Sequence, residues 1–508
     1  MFGALPCGVA LFRDLLLFWQ ILHITLPQPL DAPYPESKLW ESQAGAEWLK
    51  RLVNATLLIF CLKGGMGCET VAEFFHLLRL EQHVGVSVAS LRKIRSQLET
   101  HIIDYGQEQL KTMPAGERPL EICASADETF FDQAVLVLLD LASGFIVVET
   151  FSEDHRYETW QQQAQQALSQ LGLQVRYCVS DRAKALVKLA LEEMGCASIA
   201  DLFHALWELS SGIGRELSTQ TFGVNRRLRQ LSEAPENPAL QATQQQQQTA
   251  LMAAQQQFHQ GLRQLSLALH PFSWKSGTVQ TTQQVAAQLS DDCQALLQLK
   301  IAQHLPDKEG SIAKFERQIQ DLSAVVDLWW QWVRQSLQEQ GCDPALQVWL
   351  AQVFLPLSYW QAQSQCTKTP ALKVAYQSAL QQAQAALTQH PLTATLSPAQ
   401  RTHWQTWANV MVSRFQRASS AVEGRNGYLK QIYHNRRGLS SHRVQVMTTL
   451  HNFYLKRADG TTAAQRLFGK PAPDLFEHLI QQMPNLPQAR RRKTAAKPET
   501  PALHNVPA

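Results

Sequence analysis

Two aspartates carry the first hint of chemistry. Asp127 falls at the end of EICASADETFF and Asp181 closes VRYCVSD, each a short run rich in β-branched and apolar residues bounded by turn signals. Between them, VLVLLDLASGFIVVETF divides at Ser143-Gly144 into two further runs, the mark of a hairpin. A carboxylate just past the carboxyl end of a buried strand is where open α/β sheets place their chemistry. Two of them delivered by one sheet could share a metal ion, and hard oxygen ligands select Mg²⁺ or Mn²⁺. Two such ions about 3.5–4 Å apart can activate water or a sugar hydroxyl and stabilise the leaving oxygen of a phosphodiester.

A third carboxylate comes much later, in SRFQRASSAVEGRNGYLKQIY. Residues 411–470 hold eleven Lys or Arg against Glu423 and Asp459, so 11 − 2 = +9, three times the +3 of the whole chain. That density is the footprint expected for a phosphate backbone. Glu423 has two readings. It forms a surface ion pair worth little, or it completes a three-carboxylate metal site with Asp127 and Asp181. Glu216, Glu309 and Glu316 are rivals for the third place, without basic, Ser/Asn-rich surroundings. Glu128 and Asp140 are neighbours of Asp127, and Asp140 suits a turn cap. Arg425, Asn426, Lys430, Arg436 and Arg437 are the candidate backbone contacts.

These residues need elements to hold them. The 508 residues exceed one ordinary core, so two to four domains are expected. Apolar content of 45% is globular, and glutamine fills the place of missing charge, which stands at 18%. Nine scattered cysteines without a CxxC argue against a zinc site or disulfide framework and suit a reducing cytosol. The N-terminal GVALFRDLLLFWQILHI is interrupted by Arg13 and Asp14, lacks a small-residue cleavage site and is too short to span a membrane, so it reads as an amphipathic helix.

After a Pro-rich linker at 28–46, three helical patterns cover about 46–63, 69–80 and 87–104, with Ser87 as N-cap of the third. Arg92, Lys93 and Arg95 front that helix, as in a helix-turn-helix that reads the major groove; the plain alternative is a helical bundle with solvated charges. The segment from 113 follows the order strand, strand, strand, helix, strand, helix, strand, an α/β layer with helices on its faces. Its last strand is expected in CASIADLFHALWELS, holding Asp201 and His204. From 205 to 408 the chain is helical, rich in glutamine and tryptophan, with its aromatics expected in a core. Residues 409–470 carry Glu423 and the basic block, and 471–508 reads as a basic flexible tail with ARRRK at 489–493.

Taken together, ADETFF, VSDRAKAL and SSAVEGRNGYL resemble the three catalytic segments of a DDE-type transposase of bacterial insertion sequences. GLSSHRVQVMTTLHNFYLKRADGTTAAQRLFG resembles the C-terminal segment of one branch, and DLFHAL resembles the (C/D)xxH element, matched by Asp201 and His204. The resemblance covers roughly 85–470. It implies an RNase H-like mixed sheet flanked by helices, in an α/β fold with an N-terminal helix-turn-helix region (1–112) and a large all-α insertion (205–408) between core segments 113–204 and 409–470. It implies DNA cleavage at transposon ends and strand transfer into target DNA. Asp127, Asp181 and Glu423 would be catalytic ligands of two Mg²⁺ or Mn²⁺ ions, and His204 would orient a phosphate or a bound water or be a packed structural residue. It further implies a homodimer on DNA, in the cytoplasm and at the nucleoid, with no membrane. Asp127 to Asp181 is 181 − 127 = 54 positions, and Asp181 to Glu423 is 423 − 181 = 242, the room taken by the insertion. A nuclease or resolvase on the same core, or a decayed transposase that only binds DNA, fits the same segments.

Overall fold

The computed structural model describes residues 42–113, 118–233, 238–306 and 310–488, with only the backbone at Glu233, Arg436 and Arg437. The N-terminal apolar run, most of the Pro-rich linker, Glu309 and ARRRK lie outside the described residues. Among those described, 42–102 with 474–488 form one compact unit and 103–473 a second.

In the first unit, helices α1 (Gln43–Thr56) and α2 (Cys68–Leu77) and the start of α3 (Val88–Thr112) fall where periodicity places them. A π-helical turn, Leu57–Lys63, extends α1 to the glycine-rich break. Ser87 caps α3, its Oγ accepting from the Ser90 N–H at 3.2 Å. The chain after Pro473, expected as a flexible tail, instead forms a helix, Leu475–Gln482, in this unit. Leu475, Leu479 and Met483 recur at helical spacing and are buried, and Arg51 Nη1 donates to Glu477 Oε2 at 2.8 Å.

The second unit opens with β1 (Leu120–Phe130), β2 (Ala134–Asp140) and β3 (Ile146–Ser152). Every residue of β2 is buried, as a continuous apolar run between two neighbours requires. Asp140 ends β2 and caps the hairpin turn, its Oδ2 accepting from Ser143 N–H at 2.8 Å. Gly144 follows at φ +76°, where a side chain would be strained. Then come α4 (Tyr157–Leu171), β4 (Leu173–Ser180), α5 (Lys184–Lys188), extended by a π-helical turn, and β5 (Ala197–Ala200). The sheet order is β3-β2-β1-β4-β5. β1 is antiparallel to β2 and β2 to β3, whereas β1–β4 and β4–β5 are parallel.

Helices α6 (Leu202–Leu209) and α7 (Arg215–Glu233), joined by the π-helical turn Ser210–Gly214, make one uninterrupted run. This corrects the expected strand around Asp201 and His204. β5 ends at Ala200, and Asp201 caps α6 by accepting from the Phe203 N–H at 2.8 Å. The glutamine-rich region follows as α8 (Pro238–Ala268), α9 (Thr282–Ala302), α10 (Ser311–Glu339), α11 (Pro344–Trp349), α12 (Leu355–Cys366), α13 (Pro370–Gln389), α14 (Pro391–Thr395) and α15 (Pro398–Ser413). Last are α16 (Ser420–Ile432), α17 (Ser441–Phe453) and α18 (Ala463–Phe468).

The tryptophans at 329, 330, 332, 349, 360, 404 and 407 are buried, in one apolar cluster continuous with Val137, Tyr177 and Val179 of the sheet. Polar ties reinforce it. Trp329 Nε1 donates to Met411 O at 2.7 Å, and the Tyr177 hydroxyl donates to Arg414 O at 2.6 Å. The Arg414 guanidinium lies 4.2 Å from the Trp332 ring centroid. The helical insertion and the sheet therefore share one core.

Candidate active site

Sheet register brings the two aspartates level. β1 and β4 pair as Ile122 with Val175, an offset of 53, then as Cys123 with Tyr177, an offset of 54, because Arg176 bulges out of β4. Ser125 pairs with Val179 at the same offset. Carried on by two residues, that register sets Asp181 beside Asp127, for 181 − 127 is also 54. Since side chains alternate faces, the extra residue at Arg176 decides which face of the sheet Asp181 shares. Asp127 lies within β1, three residues before its end at Phe130, rather than at its terminus.

Asp181 follows β4 directly, its Oδ1 accepting from the Ala183 N–H at 2.9 Å. The next residue, Arg182, holds φ +71°, a left-handed conformation costly for a side-chain-bearing residue. Its guanidinium is anchored, donating to Ser198 O at 3.1 Å and pairing with Asp321 at 2.8 Å.

Glu423 sits in the first turn of α16, which packs on β1 and β2. Val422, Arg425, Asn426, Leu429 and Ile432 form the buried face of this helix, at spacings of three and four. That face holds two of the expected phosphate contacts, Arg425 and Asn426. Arg425 is 4% exposed and grips Glu149 of β3 through Nε–Oε1 and Nη2–Oε2 bonds of 2.6 Å each. Asn426 is also buried, and its Nδ2 donates to Asp127 Oδ2 at 2.7 Å while its Oδ1 has no partner. Lys430 is exposed on the other side; the side chains of Arg436 and Arg437 lie outside the described residues.

Histidine 204 links the segments. Its Nδ1 lies 2.6 Å from Asp201 Oδ2 and its Nε2 lies 3.4 Å from Glu423 Oε1. Asp201 is buried and also accepts from the Ser419 N–H at 3.2 Å and from the Ser419 hydroxyl. The hydrogen bond to Asp201, helped by the charges of Asp201, Glu423 and Asp127, raises His204 to about 9, so it is an imidazolium at neutral pH. Burial pushes the Asp127 carboxyl up to about 7; the charges of Glu423 and Asp181 add to this and His204 opposes it. Asp127 and Glu423, 423 − 127 = 296 positions apart in sequence, are thus electrostatic neighbours.

Among the described residues, no three His, Cys, Asp or Glu side chains stand ready to hold a metal ion. The donor types nonetheless suit a hard divalent cation: Asp181 and Glu423 each repel Asp127, and the carbonyl oxygen of Asn426, which bonds Asp127, is unsatisfied. The rivals are elsewhere engaged or placed. Glu316 accepts from Gln294 at 2.9 Å and Glu216 opens α7. Glu128 accepts from the buried Trp160 indole at 2.9 Å.

Much of the basic block makes contacts within the fold. Arg414 covers Trp332 and Arg425 pairs with Glu149. Arg417 donates to the carbonyls of Ser266 and Leu269, and Arg457, Arg466 and Lys470 donate to those of Ala142, Ser143 and Thr112. In the first unit, Arg92 pairs with Glu69, Arg95 is half-buried against Cys68 and Glu99, and Lys93 is exposed. The sequence reading missed Glu149. For Glu149 the signal was present in the 422–425–429–432 spacing, which puts Arg425 on a buried face that demands a counter-charge.

A model of a family of unknown function, DUF6399, matches residues 350–495, well under half of the chain. The match includes Glu423 and Asn426 and leaves out Asp127, Asp181 and His204. No curated protein matches the chain.

Proposed function

We propose that this chain is a DDE-type DNA transposase on an RNase H-like core, cutting phosphodiester bonds at transposon ends and joining the exposed 3′-hydroxyl to target DNA. The observation that carries the reading is that the charges of Asp181 and Glu423, far apart in sequence, both act on Asp127, with Glu423 against His204. The strand order 3-2-1-4-5, with one antiparallel hairpin edge and a parallel pair at the carboxylates, supports it.

Asp127, Asp181 and Glu423 would hold Mg²⁺ or Mn²⁺, which when bound supplies Lewis acidity at the scissile phosphate. The remaining residues position these three. Asn426 holds one oxygen of Asp127, and the Glu128 backbone also hydrogen-bonds this carboxyl. Asp201 fixes the His204 ring, and His204 in turn steadies Glu423 and offers a positive charge to a phosphate. Lys430 and Lys93 remain as exposed candidates for backbone contact, and dimeric assembly on DNA belongs to the same proposal.

The test is strand transfer on DNA carrying the element's own ends, with Mg²⁺ or Mn²⁺. Asp127→Asn, Asp181→Asn and Glu423→Gln should each lower cleavage and joining by about a thousandfold or more, the scale of several kcal/mol of lost charge stabilisation, with end binding retained. Cleavage without joining in the wild type would make the protein a nuclease. Binding without cleavage would leave a DNA-binding protein.

A further inference from the structure

A row of exposed aromatic and cationic side chains runs away from the carboxylates along α6 and α7. Phe203 and Trp207, one turn apart, flank His204 and are 48% and 56% exposed. Phe203 packs edge-on to the His204 ring at 5.7 Å between centroids. Beyond the π-helical turn, Arg215, Phe222, Arg226 and Arg229 follow at spacings of seven, four and three, which is one face of a helix. All four are exposed, Phe222 at 71%. The opposite face of α7 is the one that packs, with Leu217 and Val224 buried.

Apolar rings this large are normally covered, and nothing in a helix propensity calls for them here. Rings alternating with arginines on a continuous rod match one ligand chemistry: a single nucleic-acid strand, its bases stacked on the rings and its phosphates met by the guanidinium groups. A duplex does not offer base faces to such a row, because its bases are stacked on each other. Among the described residues, none of Arg215, Arg226 and Arg229 is ion-paired, so their charge is available to a polyanion.

From this we infer that the outer face of α6–α7 binds unpaired DNA and takes the strand away from the Asp127–Asp181–Glu423 cluster, with Phe203 and Trp207 stacking the bases next to the bond that is cut. The inference rests on the reading of that cluster as a DNA-cutting site. It adds that the substrate is opened there, so that the protein handles the end as single strands.

The experiment measures fluorescence anisotropy of a labelled thirty-nucleotide oligo(dT) and a thirty-base-pair duplex with the full-length chain in EDTA. Phe203→Ala combined with Trp207→Ala should weaken oligo(dT) binding by about tenfold or more, the size of lost base stacking, and leave duplex binding within about twofold. Trp207→Tyr, which keeps a ring, should bind as wild type, and Arg226→Ala with Arg229→Ala should weaken oligo(dT) binding and lessen its salt dependence. Equal losses on both DNAs, or none, would overturn the inference; so would dissociation of a dimer by the aromatic variants, which would make the row a protein interface. Cleavage in Mg²⁺ is scored separately with Asp127→Asn. Intact cleavage with unchanged oligo(dT) affinity in the aromatic variant rejects the strand path and keeps the active site. Oligo(dT) binding that depends on the rings, in a wild type that never cleaves, keeps the strand path and rejects the active site.

Discussion

Asp127 and His204 lie within reach of each other's charge, and each is held away from its ordinary protonation. His204 ordinarily titrates near 6.5 and is raised to about 9. Its contribution to stability is therefore complete below about 6.5 and is lost as pH rises through about 9. Asp127 is raised from 3.8 to about 7, so its relative contribution is complete below about 4 and is lost as pH rises through about 7. Both run the same way, and metal-free protein should lose thermal stability between about pH 4 and pH 9. Calorimetry in EDTA should show Asp127→Asn flattening the lower part of that slope and His204→Gln the upper part. Mg²⁺ should restore stability most at the alkaline end, where it meets an ionised Asp127. A slope untouched by either variant would mean that other groups carry it.

At the scale of elements, α16 does two jobs with one amphipathic pattern. Its inner face docks on the sheet, and its first turn delivers Glu423 at the rim. The Arg425–Glu149 pair is the polar centre of that inner face, and Thr448 of α17 also donates to Glu149. Arg425→Ala would leave Glu149 buried without its partner, at a cost of about 3–5 kcal/mol in denaturant unfolding. Combining Arg425→Met with Glu149→Leu should recover most of that loss, because two apolar side chains need no counter-charge. Lys430→Ala, on the exposed face, should leave stability within about 0.5 kcal/mol and lower the salt dependence of DNA binding. If Arg425→Ala proved harmless, the pair would not be what seats α16. The outer edge of the sheet is managed in a similar way: Asn452 of α17 bonds both the N–H and the carbonyl of Ile146 at 2.9 Å, satisfying the start of β3.

The second unit behaves as one body because sheet and insertion share a core. Tyr177 on β4, Trp329 and Trp332 on α10, and Arg414 after α15 are bonded or stacked in one chain of contacts. Residues 103–473 should therefore unfold in a single transition. Replacing 215–413 by a flexible linker should abolish that transition and the near-ultraviolet dichroism of the buried rings, since the sheet face under α10 would lie open. Survival of a cooperative sheet domain in that deletion would show that the insertion is separable. The helix Leu475–Gln482 belongs with the first unit, so a chain ending at Pro473 should lose protection of α1 in hydrogen exchange, with the second unit unchanged.

Local information was enough for the elements. The strands, the hairpin at Ser143-Gly144, the Gly172 end of α4 and the Ser87 cap are each written in a few adjacent residues, and turns, caps and periodicity act over that range. The short apolar runs that mark buried strands also made Asp127 and Asp181 visible as a pair. Asp201 is the local miss: a short polar residue after an apolar run was read as strand, where it caps a helix. What tertiary structure decided is which side chains meet. A register offset of 54, set by the bulge at Arg176, aligns two aspartates across β1 and β4. The docking of α16 brings Glu423, rather than Glu216 or Glu316, near Asp127, and turns Arg425 from a surface charge into a buried one. Those outcomes depend on pairings across hundreds of residues, and the free energy that selects them is that of burying one continuous core, which no short window of sequence contains.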